Sequence, residues 1–203
     1  MRTVLKSASV LSLITLFAVS ANAQGDNASS QAGPPVLAKA LVPARMGARL
    51  AVTSPAFASG KTLDGKYTQN GENMSPPLAW TKGPVGTVSY VVLAEDSGVN
   101  RAEPIVHWIV YNIPSSMRYL PSETPGDTSL PTGVMQGKNV SGSAGYIGPK
   151  PPAGQTHSYH FQVFALNGRL DIDPANADRA TVLAAMKGRV VALGDVVGNY
   201  TGQ

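Results

Sequence analysis

Three short runs of apolar, β-branched and aromatic residues, 88–94, 105–112 and 157–166, constrain this chain more than any other feature. Each is too short for a typical helix and ends in turn residues: Glu95-Asp96-Ser97-Gly98 after the first, Pro114 after the second, Asn167-Gly168 after the third. Each therefore reads as a strand. With 21 glycines and 16 prolines in 203 residues, turns separate many short elements, and an all-helical bundle is excluded. A hydrophobic fraction of 43% suffices for one packed domain of this length. One helix is expected near the C-terminus, with Asp178 as its cap, Val182, Leu183 and Met186 as its apolar face and Gly188 at its left-handed stop. Residues 189–198 then form a last strand. A short edge strand is expected at 66–68, between turns at Asp64-Gly65 and Asn70-Gly71, and residues 115–133 form a long, proline-containing connection. The fold class is mainly β, sandwich-like, with peripheral helices.

The N-terminus has the pattern of a secretory signal over residues 1–23. Arg2 and Lys6 form the basic region, 10–19 the apolar region, and Ala21-Asn22-Ala23 a cleavage site. The apolar run falls short of the ~20 residues that span a bilayer, so no integral membrane segment is expected after cleavage, and the mature chain is expected to be secreted or periplasmic. Residues 24–48, rich in Ala, Ser, Gly and Pro, read as a flexible leader, and 49–203 as the folded domain. The chain has no cysteine, which excludes disulfides and a lipid-modified cysteine. Removing Arg2 and Lys6 takes 16 basic residues to 14 against 12 acidic ones. That small excess, without basic clusters and interleaved aromatics, gives no reason to expect a nucleic-acid partner.

All three histidines lie on two of the strands. At period two, His107, Ile109 and Tyr111 share one face, as do His157, Tyr159 and Phe161. If both strands join one sheet, His107, His157, Tyr159 and Asp96 can converge at its end, with the Gly- and Pro-rich turn 145–154 as a rigid rim. Imidazoles, a tyrosine hydroxyl and the backbone N–H groups of such a turn are what an anionic oxygen needs. His157 and His160, three apart in a strand, face opposite sides and cannot readily share a metal, and no HExxH or cysteine set is present. No metal and no cofactor are expected. His160 reads as solvent-facing or core-packed, Trp80 and Trp108 as packing residues, and Asp171 and Asp173 as turn residues rather than a calcium loop.

The stretches 72–80 (Glu-Asn-Met-Ser-Pro-Pro-Leu-Ala-Trp), 94–114 and 145–161 keep an order and spacing that resembles the phosphatidylethanolamine-binding protein family, in its bacterial Raf-kinase-inhibitor-like branch, over about residues 50–200. The resemblance implies a large antiparallel sheet packed on a smaller one. It also implies a pocket for phosphate-like groups at Asp96, His107, Pro151, Pro152, His157 and Tyr159, with Gly148 in the turn. Two positions depart from the family pattern. The Asp-Pro-Asp-Ala element is Asp96-Ser97-Gly98-Val99, and the His-Arg-Tyr element is His157-Ser158-Tyr159, so a carboxylate and the arginine that commonly pairs with that acidic loop are both missing.

Three functions follow as expectations. The first is a non-enzymatic binding protein for a small anion or phosphorylated head group. The second is a protein inhibitor of a protease or other enzyme, acting on that protein target through surface loops. The third is a hydrolase using His107 or His157 as a base, although no G-x-S-x-G element is present.

Overall fold

The computed structural model describes residues 33–203; the expected signal peptide and the first part of the leader lie outside them. Strands β1 (Val52–Thr53), β3 (Leu78–Trp80) and β6 (Tyr119–Leu120) form a small sheet in the order β1-β3-β6. The large sheet contains β2 (Lys61–Thr62), β4 (Ser89–Asp96), β5 (Ile105–Pro114), β7 (Met135–Gln136), β8 (Thr156–Leu166) and β9 (Val190–Thr201). Its order is β2-β9-β8-β4-β5-β7, antiparallel except for the β2–β9 pair. The sheets pack over a core that includes Trp80, Tyr90, Trp108, Phe161 and Val163. The other face of the large sheet carries a second core, of Val91, Leu93, Ile109, Tyr111 and Phe164, closed by α2 (Arg179–Met186) and by α1 (Ala38–Leu41) with the residue after it, Val42. Burial on both faces is why β4 is a continuous apolar run rather than an alternating one, with all its residues buried.

Helix α2 has the expected cap: Thr181 N–H donates to Asp178 Oδ1 at 2.8 Å, the apolar face is buried, and Gly188 has φ +71°. Trp80 and Trp108 are core residues. The expected edge strand at 66–68 is instead a 3₁₀ turn over Gly65–Tyr67, because the Asp64 side chain accepts from Lys66 N–H at 3.0 Å and starts the turn early. Residues 61–62 form the edge instead. Residues 115–133 are tied down: the Gln136 amide donates to the carbonyls of Pro125 and Asp127, and Thr124 N–H donates to Ser75 Oγ.

The leader also differs from its reading as flexible chain to residue 48. Ala38 is fully buried, and the first N–H groups of α1 are accepted by side chains of the sheet: Ala38 N–H by Glu95 Oε2 at 2.8 Å, Lys39 N–H by Gln162 Oε1 at 2.8 Å. Those donors have no partner inside a helix, so a four-residue helix unstable on its own is held by the sheet. Glu95 is itself fully buried, bonded to Gln162 Nε2 and Arg179 Nε at 2.7 Å each, and Arg179 Nη2 also donates to Val36 O. Among the described residues no helix is long and apolar enough to cross a membrane.

Candidate functional site

Two irregularities in β5 shape the site. In the β4–β5 ladder Ala94 faces Trp108 and Glu95 faces Val106, so His107 is the unpaired extra residue of a β-bulge. A second bulge lies at Asn112, with φ +60°, whose side chain accepts from Leu170 N–H and donates to Leu170 O. The bulges shift the alternation. Ile109 and Tyr111 join the α2-side core, whereas the His107 ring meets Tyr159 of the inter-sheet core edge-on, at 5.1 Å between centroids. The expected common face of His107, Ile109 and Tyr111 is therefore broken, because period-two counting cannot see an inserted residue.

Strand β8 is regular there and delivers His157 and Tyr159 to one side, their rings stacked at 6.5 Å. Asp96, at the end of β4, lies opposite Tyr159. Its Oδ2 is 2.7 Å from His157 Nδ1, and its Oδ1 accepts Gly98 N–H at 2.7 Å. With Pro151 and Pro152 these residues line a cavity of about 390 Å³. Six of the seven expected site residues thus come together.

Gly148 is the exception. Its N–H is taken by Asn73 Oδ1 at 2.7 Å, its carbonyl accepts from Gln69 Nε2, and a Cβ there would lie 2.6 Å from Tyr67 O. It packs the turn against the 3₁₀ segment and does not line the cavity. Lys150 and Gln155, which lie in and just after the proline turn, also line the cavity, as do Gln69, Ile105 and Val140. The first two were within reach of the sequence, as chemistry-bearing neighbours of the prolines; the others arrive only through tertiary packing.

The electrostatics differ from a cationic histidine cradle. His107 Nδ1 is 2.6 Å from Ile147 O, and since a carbonyl only accepts, Nδ1 carries the proton. Burial pushes the His107 pKa below its ordinary value, against the opposing pull of the Ile147 carbonyl and the Asp96 charge. His107 is therefore neutral near pH 7, with Nε2 as an acceptor. His107 Nε2 and the Tyr159 hydroxyl are both buried without a protein hydrogen-bond partner. Burial first, then the charge and close approach of the Asp96 carboxylate, raise the Tyr159 pKa far above the phenol range, so its proton stays on although its geometry falls short of a hydrogen bond to Asp96.

The two departures acquire structural roles. A Cβ at Gly98 would lie 2.5 Å from His157 Cγ, so a larger residue cannot occupy 98 while His157 holds Asp96. Ser158 points away from the cavity, with Oγ donating to Asn199 Oδ1, and its carbonyl accepts Ser97 N–H. His160, on the opposite face from His157, bonds Asp195, which also pairs with Lys39 of α1. Among the described residues no group of His, Cys, Asp or Glu side chains could hold a metal ion.

The family model for phosphatidylethanolamine-binding protein matches residues 53–201. The chain is 37% identical over 145 residues to a UPF0098 protein of Methanothermobacter thermautotrophicus, covering 71% of this chain and 94% of that one. It is 42% identical over 106 residues to the UPF0098 protein YbhB of Escherichia coli, covering 51% and 67%. The crystal structure of E. coli YbcL, described as a member of the mammalian PEBP family, superposes with a TM-score of 0.71 at 33% identity, over 77% of this chain and all of that one. With the two-sheet architecture and the Asp96–His157 cavity between motifs in the same order, these matches make the chain a member of the phosphatidylethanolamine-binding protein family.

Proposed function

We propose that this protein is an exported, non-enzymatic binding protein whose Asp96/His107/His157/Tyr159 cavity holds a small phosphate-type anion or phosphorylated head group. One observation carries the reading: two buried polar atoms without a protein partner, His107 Nε2 and the Tyr159 hydroxyl, belong to side chains that line one cavity. An unsatisfied buried polar group is costly, and a ligand whose oxygens pair with the two groups removes that cost. Lys150 at the rim supplies the positive charge. No serine lines the cavity, which favours binding over nucleophilic hydrolysis. Export is supported by the basic, apolar and small-residue pattern of residues 1–23.

Inorganic phosphate or phosphoethanolamine should raise the melting temperature in a saturable way, by mass action on the folded state, and Tyr159→Phe should weaken the effect. Absence of stabilisation up to about 10 mM, weaker than the millimolar range, would refute the binding role. Mass spectrometry of exported protein should find Gln24 as its first residue; retention of the first 23 residues would refute export by cleavage.

A further inference from the structure

Resting on the phosphate-type reading above, we propose that the cavity selects the protonation state of its ligand. It takes an oxyanion with one negative charge and one O–H, such as the monoanion of a phosphate monoester or phosphonate, with that O–H donated to His107 Nε2. It disfavours both the dianion and the diester.

Ile147 O can only accept, so the proton of a neutral His107 sits on Nδ1 and its Nε2 offers a lone pair. His107 is 5% exposed, and a second proton there would create a charge that burial opposes. An acceptor shut off from bulk water is satisfied only by a donor, and a fully deprotonated phosphate or a dialkyl phosphate has none. The Tyr159 hydroxyl, also unpartnered, can donate to a second ligand oxygen.

Among the surrounding charges Asp96 points the same way, while Lys150 balances the ligand's first negative charge. From β4 comes the Asp96 carboxylate, whose oxygens are taken by His157 Nδ1 and Gly98 N–H. From β8 come His157 and Tyr159, and from the preceding turn Lys150. Behind Tyr159 lie the phenols of Tyr146 and Tyr200. A ligand seated here lies beside the Asp96 carboxylate, which repels a second negative charge on the ligand.

Calorimetric titration of the full-length folded protein with methyl phosphate, methylphosphonate and dimethyl phosphate, from about pH 5.5 to 8.5, tests this around the phosphate monoester's second pKa near ~6. Methyl phosphate affinity should fall toward tenfold per pH unit above that pKa. Methylphosphonate keeps its second proton to higher pH, and its fall should move upward by the difference between the two ligands' own pKa values. Dimethyl phosphate, which has no O–H, should bind at least about tenfold more weakly than methyl phosphate at the low-pH end, a loss typical of one missing hydrogen bond. If methyl phosphate and methylphosphonate lose affinity at one common pH, a protein group is titrating and the proposal is overturned, while the binding role stands. Affinity that rises with pH, or dimethyl phosphate binding as tightly as methyl phosphate at low pH, overturns it equally. Failure of all three to bind defeats the phosphate-type reading itself.

Discussion

Replacing Gly98 by alanine adds one methyl group to the cavity wall directly against His157. The new Cβ would lie 2.5 Å from His157 Cγ, 2.7 Å from its Cβ and 2.8 Å from its Cα, where ordinary contact begins at 3.4 Å. One side must therefore move by about 0.9 Å. Neither side is free. Gly98 N–H is held by Asp96 Oδ1, the same carboxylate grips His157 through Oδ2, and Ser97 N–H is bonded to Ser158 O. Relaxation thus stretches the bonds that define the site. Overpacking of this kind costs about 1–3 kcal/mol, rising toward about 3–5 kcal/mol if the buried Asp96–His157 pair breaks. At 2–4 °C per kcal/mol for a domain of this size, an overpacking cost of about 1–3 kcal/mol should lower the melting temperature of Gly98→Ala by roughly 2–12 °C. Affinity for methyl phosphate should fall with it, since His157 is displaced. Gly98→Asp should be worse, with a second carboxylate beside Asp96 added to the clash. Urea unfolding and calorimetry measure both quantities. A Gly98→Ala protein within about 0.5 kcal/mol of wild type, the range of an unconstrained surface substitution, with unchanged affinity, would refute the reasoning.

Tyr159→Phe deletes a buried hydroxyl with no protein partner; stability should change by less than about 0.5 kcal/mol while methyl phosphate affinity drops about tenfold, and an equal loss in both would mean the hydroxyl is structural. Deleting residues 24–44 uncovers the core beneath Ala38 and Val42 and removes partners of Glu95 and Gln162; chemical denaturation should show a loss of about 2–4 kcal/mol, and unchanged stability would show that the segment only rests on the sheet. Asp195 has its pKa lowered to about 2, first by the His160 hydrogen bond and then by Lys39, against the effect of burial. A depressed carboxylate contributes stability that is present above its unfolded pKa near ~3.9 and lost as pH falls toward the folded value, so Asp195→Asn should cost on the order of 1–2 kcal/mol at pH 7 after allowing for solvent screening, with the gap to wild type closing between about pH 4 and 2. A gap independent of pH would assign the cost to packing instead of charge.

Local chemistry was enough to determine much of this protein. The strands at 88–94, 105–112 and 157–166 were legible because each is an apolar run closed by turn residues, and α2 because Asp178, its apolar face and Gly188 are all local signals. The grouping of Asp96, His107, His157 and Tyr159 was legible because two histidine strands flank one proline turn, and the family resemblance supplied their pairing. What only the tertiary structure decided has a common physical origin: partners distant in the chain. The bulge that turns His107 toward Tyr159 is a one-residue mismatch between two strands, invisible in either strand alone. The neutral tautomer of His107 depends on a carbonyl 40 residues away. The α1 segment has no helical pattern of its own and exists because Glu95 and Gln162 accept its first N–H groups. Gly98, which in the sequence is a missing carboxylate, is in the structure the space that the His157 ring requires.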